Sequence, residues 1–144
     1  MRSKTWTLKA AGIPAAKPRP RVTRWGTYTP KNERYKEWEK NLTEQLEALK
    51  PPRSKLLPIS QPCQVELQFM FPRPIRLKTK SAPGGLVPHQ VRPDLDNLVK
   101  MVLDTMQTTG WISDDKIVAR IAAEKVYAAM EALPGVHIML TALL

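Results

Sequence analysis

The sequence predicts a single α+β domain, a small mixed β-sheet of about four strands carrying two main helices. Three observations predict it. The chain has 144 residues, the length of one ordinary domain, so residues 1–144 are read as one unit. Its apolar residues recur at helical spacing in some segments and at strand spacing in others. The segments run in the order β-α-β-α-β-β, which suits helices packed on one small sheet.

The first strand is 4–10 (KTWTLKA), where Trp6 and Leu8 stand two apart. Residues 14–30 (PAAKPRPRVTRWGTYTP) hold four prolines, Gly26 and the cations Lys17, Arg19, Arg21 and Arg24. That composition predicts a loop or extended arm. Thr29 as N-cap and Pro30 at the first helical position start a helix. Tyr35, Trp38, Leu42, Leu46 and Leu49 carry it to a stop at Pro51-Pro52. A polar linker (51–62) leads to 63–71 (CQVELQFMF), where the period changes to two. Cys63, Val65, Leu67, Phe69 and Phe71 share one face, and Gln64, Glu66 and Gln68 the other, the pattern of a half-buried strand. A second basic, Pro/Gly-rich loop, 72–89, contains Arg73, Arg76, Lys78 and Lys80.

Residues 96–107 read as the second helix. Leu98, Val99, Val102, Leu103 and Met106 face the sheet, and Asp96, Lys100, Asp104 and Gln107 line the other side. Gly110 stops the helix. Residues 117–128 suit either strand or helix. Residues 136–143 alternate as a closing strand, joined to the preceding element through Leu133-Pro134-Gly135.

Charge narrows the function. There are 23 Lys and Arg against 13 Asp and Glu, a net charge of +10, so the surface attracts polyanions. Residues 1–92 hold 19 basic and 6 acidic side chains, whereas residues 93–144 hold 4 and 7. No apolar run reaches the roughly 20 residues that span a bilayer, and the basic N-terminus lacks an apolar signal core. The expectation is no membrane association. One cysteine, Cys63, excludes an internal disulfide and fits a reducing, cytoplasmic location.

All five aspartates, Asp94, Asp96, Asp104, Asp114 and Asp115, fall within residues 92–116. Capping explains part of this: Asp96 suits a helix start, and Ser113-Asp114-Asp115 is ordinary turn chemistry. Capping does not explain Asp94 beside Asp96, nor a second pair directly after the helix. Spacing permits the two pairs to converge without requiring it. Converged carboxylates repel one another, and a bound Mg²⁺ or Mn²⁺ relieves that repulsion. Such an ion activates water and stabilises a phosphodiester in flight, with Lys100 as an added cation. The plain alternative for Lys100 is an i,i+4 ion pair with Asp96 or Asp104.

The string 93–100 (PDLDNLVK), then Asp104, then 110–118 (GWISDDKIV), resembles the RusA family of Holliday-junction resolvases. The likeness is strong over roughly 92–120 and looser in the flanks. It implies one RusA-like endonuclease domain, a homodimer that makes paired symmetric nicks in four-way junction DNA in recombination and repair. It also implies a need for Mg²⁺ (or Mn²⁺), no organic cofactor, and a phage or prophage setting. By position, its metal-binding catalytic aspartates match Asp94, Asp96 and Asp115, and its lysine matches Lys100. Some members carry a base directly before the first aspartate; here Pro93 stands there and Arg92 precedes it. Asp114 then belongs to the turn, and Asp104, Asp114 and His89 are candidates for the surroundings of the site. His137 alternates with apolar strand residues and reads as structural.

The basic loops become candidate DNA contacts: Lys17, Arg19, Arg21, Arg24, Arg73, Arg76, Lys78, Lys80 and Arg92. Trp25 and Tyr28 either stack on opened bases or pack against the first helix. Competing functions are a nuclease for other branched or flapped DNA, a non-catalytic basic DNA-binding protein, and, more remotely, a ribosome-associated RNA binder.

Overall fold

The alternation along 63–71 builds the centre of the sheet. In the computed structural model, which describes residues 3–29, 33–78 and 84–143, this segment is a strand, β4 (Cys63–Phe71). The other elements are β1 (Lys4–Ala11), β2 (Arg21–Thr23), β3 (Gly26–Tyr28), α1 (Glu33–Leu49), β5 (Val87–Pro88), α2 (Leu95–Thr108), β6 (Val118–Tyr127) and β7 (Gly135–Ala142). The main sheet has five strands in the order β1-β7-β4-β6-β5. Strand β4 pairs antiparallel with β7, setting Val65 opposite Leu140 and Phe69 opposite Val136. It pairs parallel with β6. Parallel neighbours need a long crossover, and α2 lies within it.

The α+β architecture is as expected, with two refinements. The sheet has five strands rather than about four, because Val87–Pro88 forms a short edge on β6. The arm at 14–30 contains a separate two-stranded hairpin, β2–β3. The ambiguous segment 117–128 is a strand. Its local Ala-rich composition does not select that state; pairing with β4 does. The helix start expected at Thr29-Pro30 falls at the edge of residues 30–32, which lie outside the described residues, as do Lys80 and the rest of 79–83.

Both helices bury their apolar stripes on one face of the sheet. Trp38, Leu42 and Leu46 of α1 join Leu98, Val102 and Met106 of α2 over Val65, Phe69, Val136, Ile138 and Leu140, forming one core. Each such fully buried aliphatic side chain stabilises the fold by about 1.5–3 kcal/mol. Cys63 is a buried member of this core, and burial pushes its thiol pKa up, which suits an inert structural cysteine. Gln64, Glu66, Gln68 and His137 lie on the opposite, open face of the sheet. Burial, then the charge of Lys9, lowers the pKa of His137.

Candidate active site at the start of the second helix

The cap of α2 lies two residues before the one expected at Asp96. Asp94, not Asp96, occupies the N-cap position, with φ −69° and ψ 140°, and its backbone oxygen accepts from Leu98 N at 3.2 Å. Its side chain makes no capping hydrogen bond. The helix therefore does not use the Asp94 carboxylate. Asp96 sits in the first turn, where the positive helix end favours its charge. Its Oδ2 lies 3.7 Å from Arg19 Nη2, so the basic arm reaches the helix start.

The turn before Asp94 is braced from β6. Lys125 Nζ donates to the backbone oxygens of Val91 and of Pro93, the latter at 2.8 Å. The backbone N–H of His89 donates to the Lys125 oxygen at 3.1 Å. The His89 ring is buried between Phe71 and Tyr127, with ring centres 4.4 and 4.7 Å away. Burial, then the charge of Lys125, lowers its pKa. His89 thus supports the turn from below, with Phe71 and Tyr127 for neighbours.

The second aspartate pair returns to α2 because the chain reverses at Gly110. Gly110 has φ 82°, a conformation that favours glycine. Trp111 N bonds back to the Met106 oxygen at 2.9 Å and Gly110 N to the Gln107 oxygen at 3.2 Å, a Schellman closure. Trp111 is buried and donates Nε1–H to the Leu46 oxygen at 2.9 Å. Ile112 forms a parallel bridge with Ile59. Lys50 Nζ, 3.3 Å from the Thr109 oxygen, places a cation at the helix C-terminus. Held this way, Asp114 caps a short 3-10 turn (Asp115–Ile117), its Oδ1 accepting from Lys116 N at 2.9 Å. That bond is the largest cause of its lowered carboxyl pKa.

Asp115 faces α2. Its backbone N–H donates to Gln107 Oε1 at 3.2 Å. Lys100 Nζ lies 3.4 Å from Asp104 Oδ1 and 4.0 Å from Asp115 Oδ2. One ammonium therefore joins the outer face of α2 to the returning turn. From α1, Tyr35 is near enough to Asp104 to feel its charge. Burial, then a hydrogen bond with Glu39, pushes the Tyr35 hydroxyl up to about 12, with the charges of Glu39 and Asp104 adding to the rise.

The expected triad is not gathered. Among the described residues, no three Asp, Glu, His or Cys side chains stand together so as to hold a metal ion. Like charges separate when cations are at hand: Asp96 takes Arg19 and Asp115 takes Lys100. The donor chemistry suits a hard divalent ion, since all three candidates offer carboxylate oxygens and that of Asp94 is not engaged by the helix.

Of the basic residues, Lys17, Arg19, Arg21, Arg24, Arg76, Lys78 and Arg92 are exposed. Arg73 is corrected. It is 7% exposed, and its guanidinium donates to the backbone oxygens of Ala128 at 2.8 Å, Leu77 at 3.0 Å and Gly85. It holds the 72–85 loop to the body and has little surface left for DNA. Trp25 is 84% exposed, so it does not pack against α1. The supporting roles of Gln107, Lys125 and Tyr35 were not foreseen. Gln107 carried a signal, its place on the outer face of α2 in line with Lys100 and Asp104; Lys125 carried none.

The sequence model of the family Endodeoxyribonuclease RusA matches residues 11–141. The chain belongs to the RusA family. The match runs from the end of β1 into β7, so it covers both helices, both aspartate pairs and the arm. RusA proteins are endodeoxyribonucleases that resolve Holliday junctions, so membership implies nuclease action on branched DNA. No curated protein matches the chain. Among the described residues, no helix is long and apolar enough to cross a membrane.

Proposed function

We propose that this chain is a cytoplasmic, Mg²⁺-dependent endonuclease that resolves four-way DNA junctions by paired symmetric nicks, acting as a homodimer. The observation that carries the reading is the return of Asp115 onto α2, beside Lys100 and on the helix that Asp94 and Asp96 open. Asp94, Asp96 and Asp115 are the residues that would hold Mg²⁺ or Mn²⁺. When bound, that ion supplies water activation and neutralises charge on the phosphodiester. Lys100, beside Asp104 and Asp115, would hold the phosphate and stabilise its added negative charge. Asp104 keeps the ammonium on the outer face of α2. Lys125 and Gln107 hold the two backbone segments that carry the carboxylates.

A four-way junction has near two-fold symmetry and must lose two strands' continuity. A C₂ dimer supplies two equivalent sites in that relation. The exposed cations of the arm and of the 72–78 segment supply phosphate affinity that is salt-dependent and indifferent to sequence. A second reading, a basic DNA-binding protein without catalysis, draws on one observation: the carboxylates are not gathered into a ligand cluster.

Cleavage of a labelled synthetic four-way junction decides between them. It is run with Mg²⁺, with Mn²⁺ and with EDTA, beside linear duplex and flap controls. Metal-dependent paired nicks in the junction alone support the resolvase. Equal cutting of flaps points to a general branched-DNA nuclease, and binding without cutting in any metal to the second reading.

A further inference from the structure

The β2–β3 hairpin contributes no residue to the buried core. Every residue from Arg21 to Tyr28 is exposed. Val22 is 81% exposed and Trp25 84%, so the hairpin presents two large apolar side chains to solvent. The tip is nevertheless built. Thr23 Oγ1 donates to the Gly26 oxygen at 3.1 Å and accepts from Trp25 N at 3.2 Å. Gly26 has φ 129°, which favours glycine. The Arg24 guanidinium carbon lies 4.7 Å from the centre of the Trp25 ring, a cation–π arrangement.

The charge around this tip selects its partner. Between Ile13 and Tyr28 stand Lys17, Arg19, Arg21 and Arg24 and no carboxylate. A flat aromatic flanked by fixed cations suits a base flanked by phosphates. The root of the hairpin is tied to the candidate active site, since Arg19 meets Asp96. The chain from Arg19 to Trp25 spans at most about 20 Å at about 3.3 Å per residue. On duplex DNA, with about 3.4 Å per base pair, that reach is about six base pairs.

We propose that the Arg24–Trp25 tip is a stacking site for an unpaired or branch-point base, near the cut through the contact of Arg19 with Asp96. Trp25 covers the base, and Arg24 and Arg21 meet the neighbouring phosphates. The inference rests on the reading of branched DNA as substrate, but not on catalysis. A second copy of this chain is the rival occupant of the exposed indole.

The test uses the full-length protein in EDTA, so that binding is read without hydrolysis. A four-way junction carries 5-iododeoxyuridine either at the branch point or about ten base pairs out along an arm. The expected result is a photo-crosslink to Trp25 from the branch-point probe and none from the distal one. Trp25→Ala loses the crosslink and binds the junction about tenfold more weakly, with duplex affinity little changed. Trp25→Phe keeps most of the affinity. Wild-type junction affinity in Trp25→Ala, or a crosslink confined to other residues, overturns the proposal, and so does a shift from dimer to monomer in that variant. A protein that cuts junctions normally while Trp25→Ala binds like wild type fails this inference alone. One that crosslinks through Trp25 but never cuts in any metal fails the nuclease reading alone.

Discussion

Gln107 Oε1 accepts the backbone N–H of Asp115 at 3.2 Å, tying the second aspartate pair to the last turn of α2. The first pair opens a 14-residue helix and the second follows it, so the helix would separate them if the chain ran on. The reversal at Gly110 and the buried Trp111 and Ile112 bring the chain back. Gln107 then fixes where Asp115 stands. Removing that bond with Gln107→Ala displaces Asp115 without touching a carboxylate. Small misplacements of reacting groups lower rates steeply, so the expected loss in kcat is about tenfold or more, with KM little changed. Thermal stability falls by about 1 kcal/mol at most, the contribution of one exposed neutral hydrogen bond. Single-turnover cleavage beside a melting curve checks both; an unchanged rate would remove Gln107 from the site.

Lys100 separates catalysis from stability more sharply. Its pairs with Asp104 and Asp115 are exposed, and such pairs stabilise a fold by about 0–1 kcal/mol. Lys100→Met should therefore melt like wild type. Its cleavage rate should drop by about 100-fold or more, the usual cost of losing one charge-stabilising donor. A variant that loses stability and keeps activity would make Lys100 a structural lysine.

Much of this fold is legible in the sequence, and the illegible parts share a cause. The alternation of β4 and the apolar stripes of both helices are local patterns, and they appear where they predict. β6 is different. Its residues are ordinary helix formers as much as strand formers, and its state is decided by pairing with β4, some fifty residues away in sequence. The β2–β3 hairpin was hidden because Pro14, Pro18 and Pro20 mark the whole arm as loop, while its turn depends on one threonine side chain and one glycine. The aspartates were conspicuous as a group, yet spacing says nothing about which carboxylate a helix uses. Asp94 takes the capping position and leaves its carboxylate unused by the helix, and Asp114 takes the turn. Arg73 looked like its basic neighbours, since burial of an arginine leaves no periodic trace.

Arg73 and Arg76 give opposite outcomes. Arg73→Ala leaves three backbone oxygens without their charged donor and should lower stability by about 2–4 kcal/mol. Arg76 is exposed in the turn Ile75–Leu77. Arg76→Ala should leave melting unchanged and reduce the salt dependence of DNA binding, the slope of log K against log salt falling by about 1. Denaturant melts and binding titrations across salt separate them. The reverse pattern would return Arg73 to the DNA surface.

Stability should also depend on pH through His89. Its folded pKa lies below the ordinary histidine value of about 6.5, because burial and then Lys125 disfavour the charged ring. As pH falls, the unfolded chain takes the proton first. The stabilisation is therefore full above the ordinary value and is lost as pH drops through it toward the lowered folded value. His137 shifts in the same direction. Replacing His89 by Phe should make the fall in Tm between about pH 7.5 and pH 5 shallower, leaving the share of His137. An unchanged slope would mean that His89 does not titrate differently on folding.

The most direct measurement compares wild type with Asp96→Asn on a four-way junction, reading cutting in Mg²⁺ and binding in EDTA. The substitution keeps the shape of the side chain, removes its charge, and frees Arg19 from its 3.7 Å contact. Cutting should be abolished. Binding should be preserved or strengthened, since a negative charge beside the phosphates is gone and a cation is released. A folded variant that still cuts, or that loses junction binding, would contradict the assignment of these aspartates to the chemistry of strand cleavage.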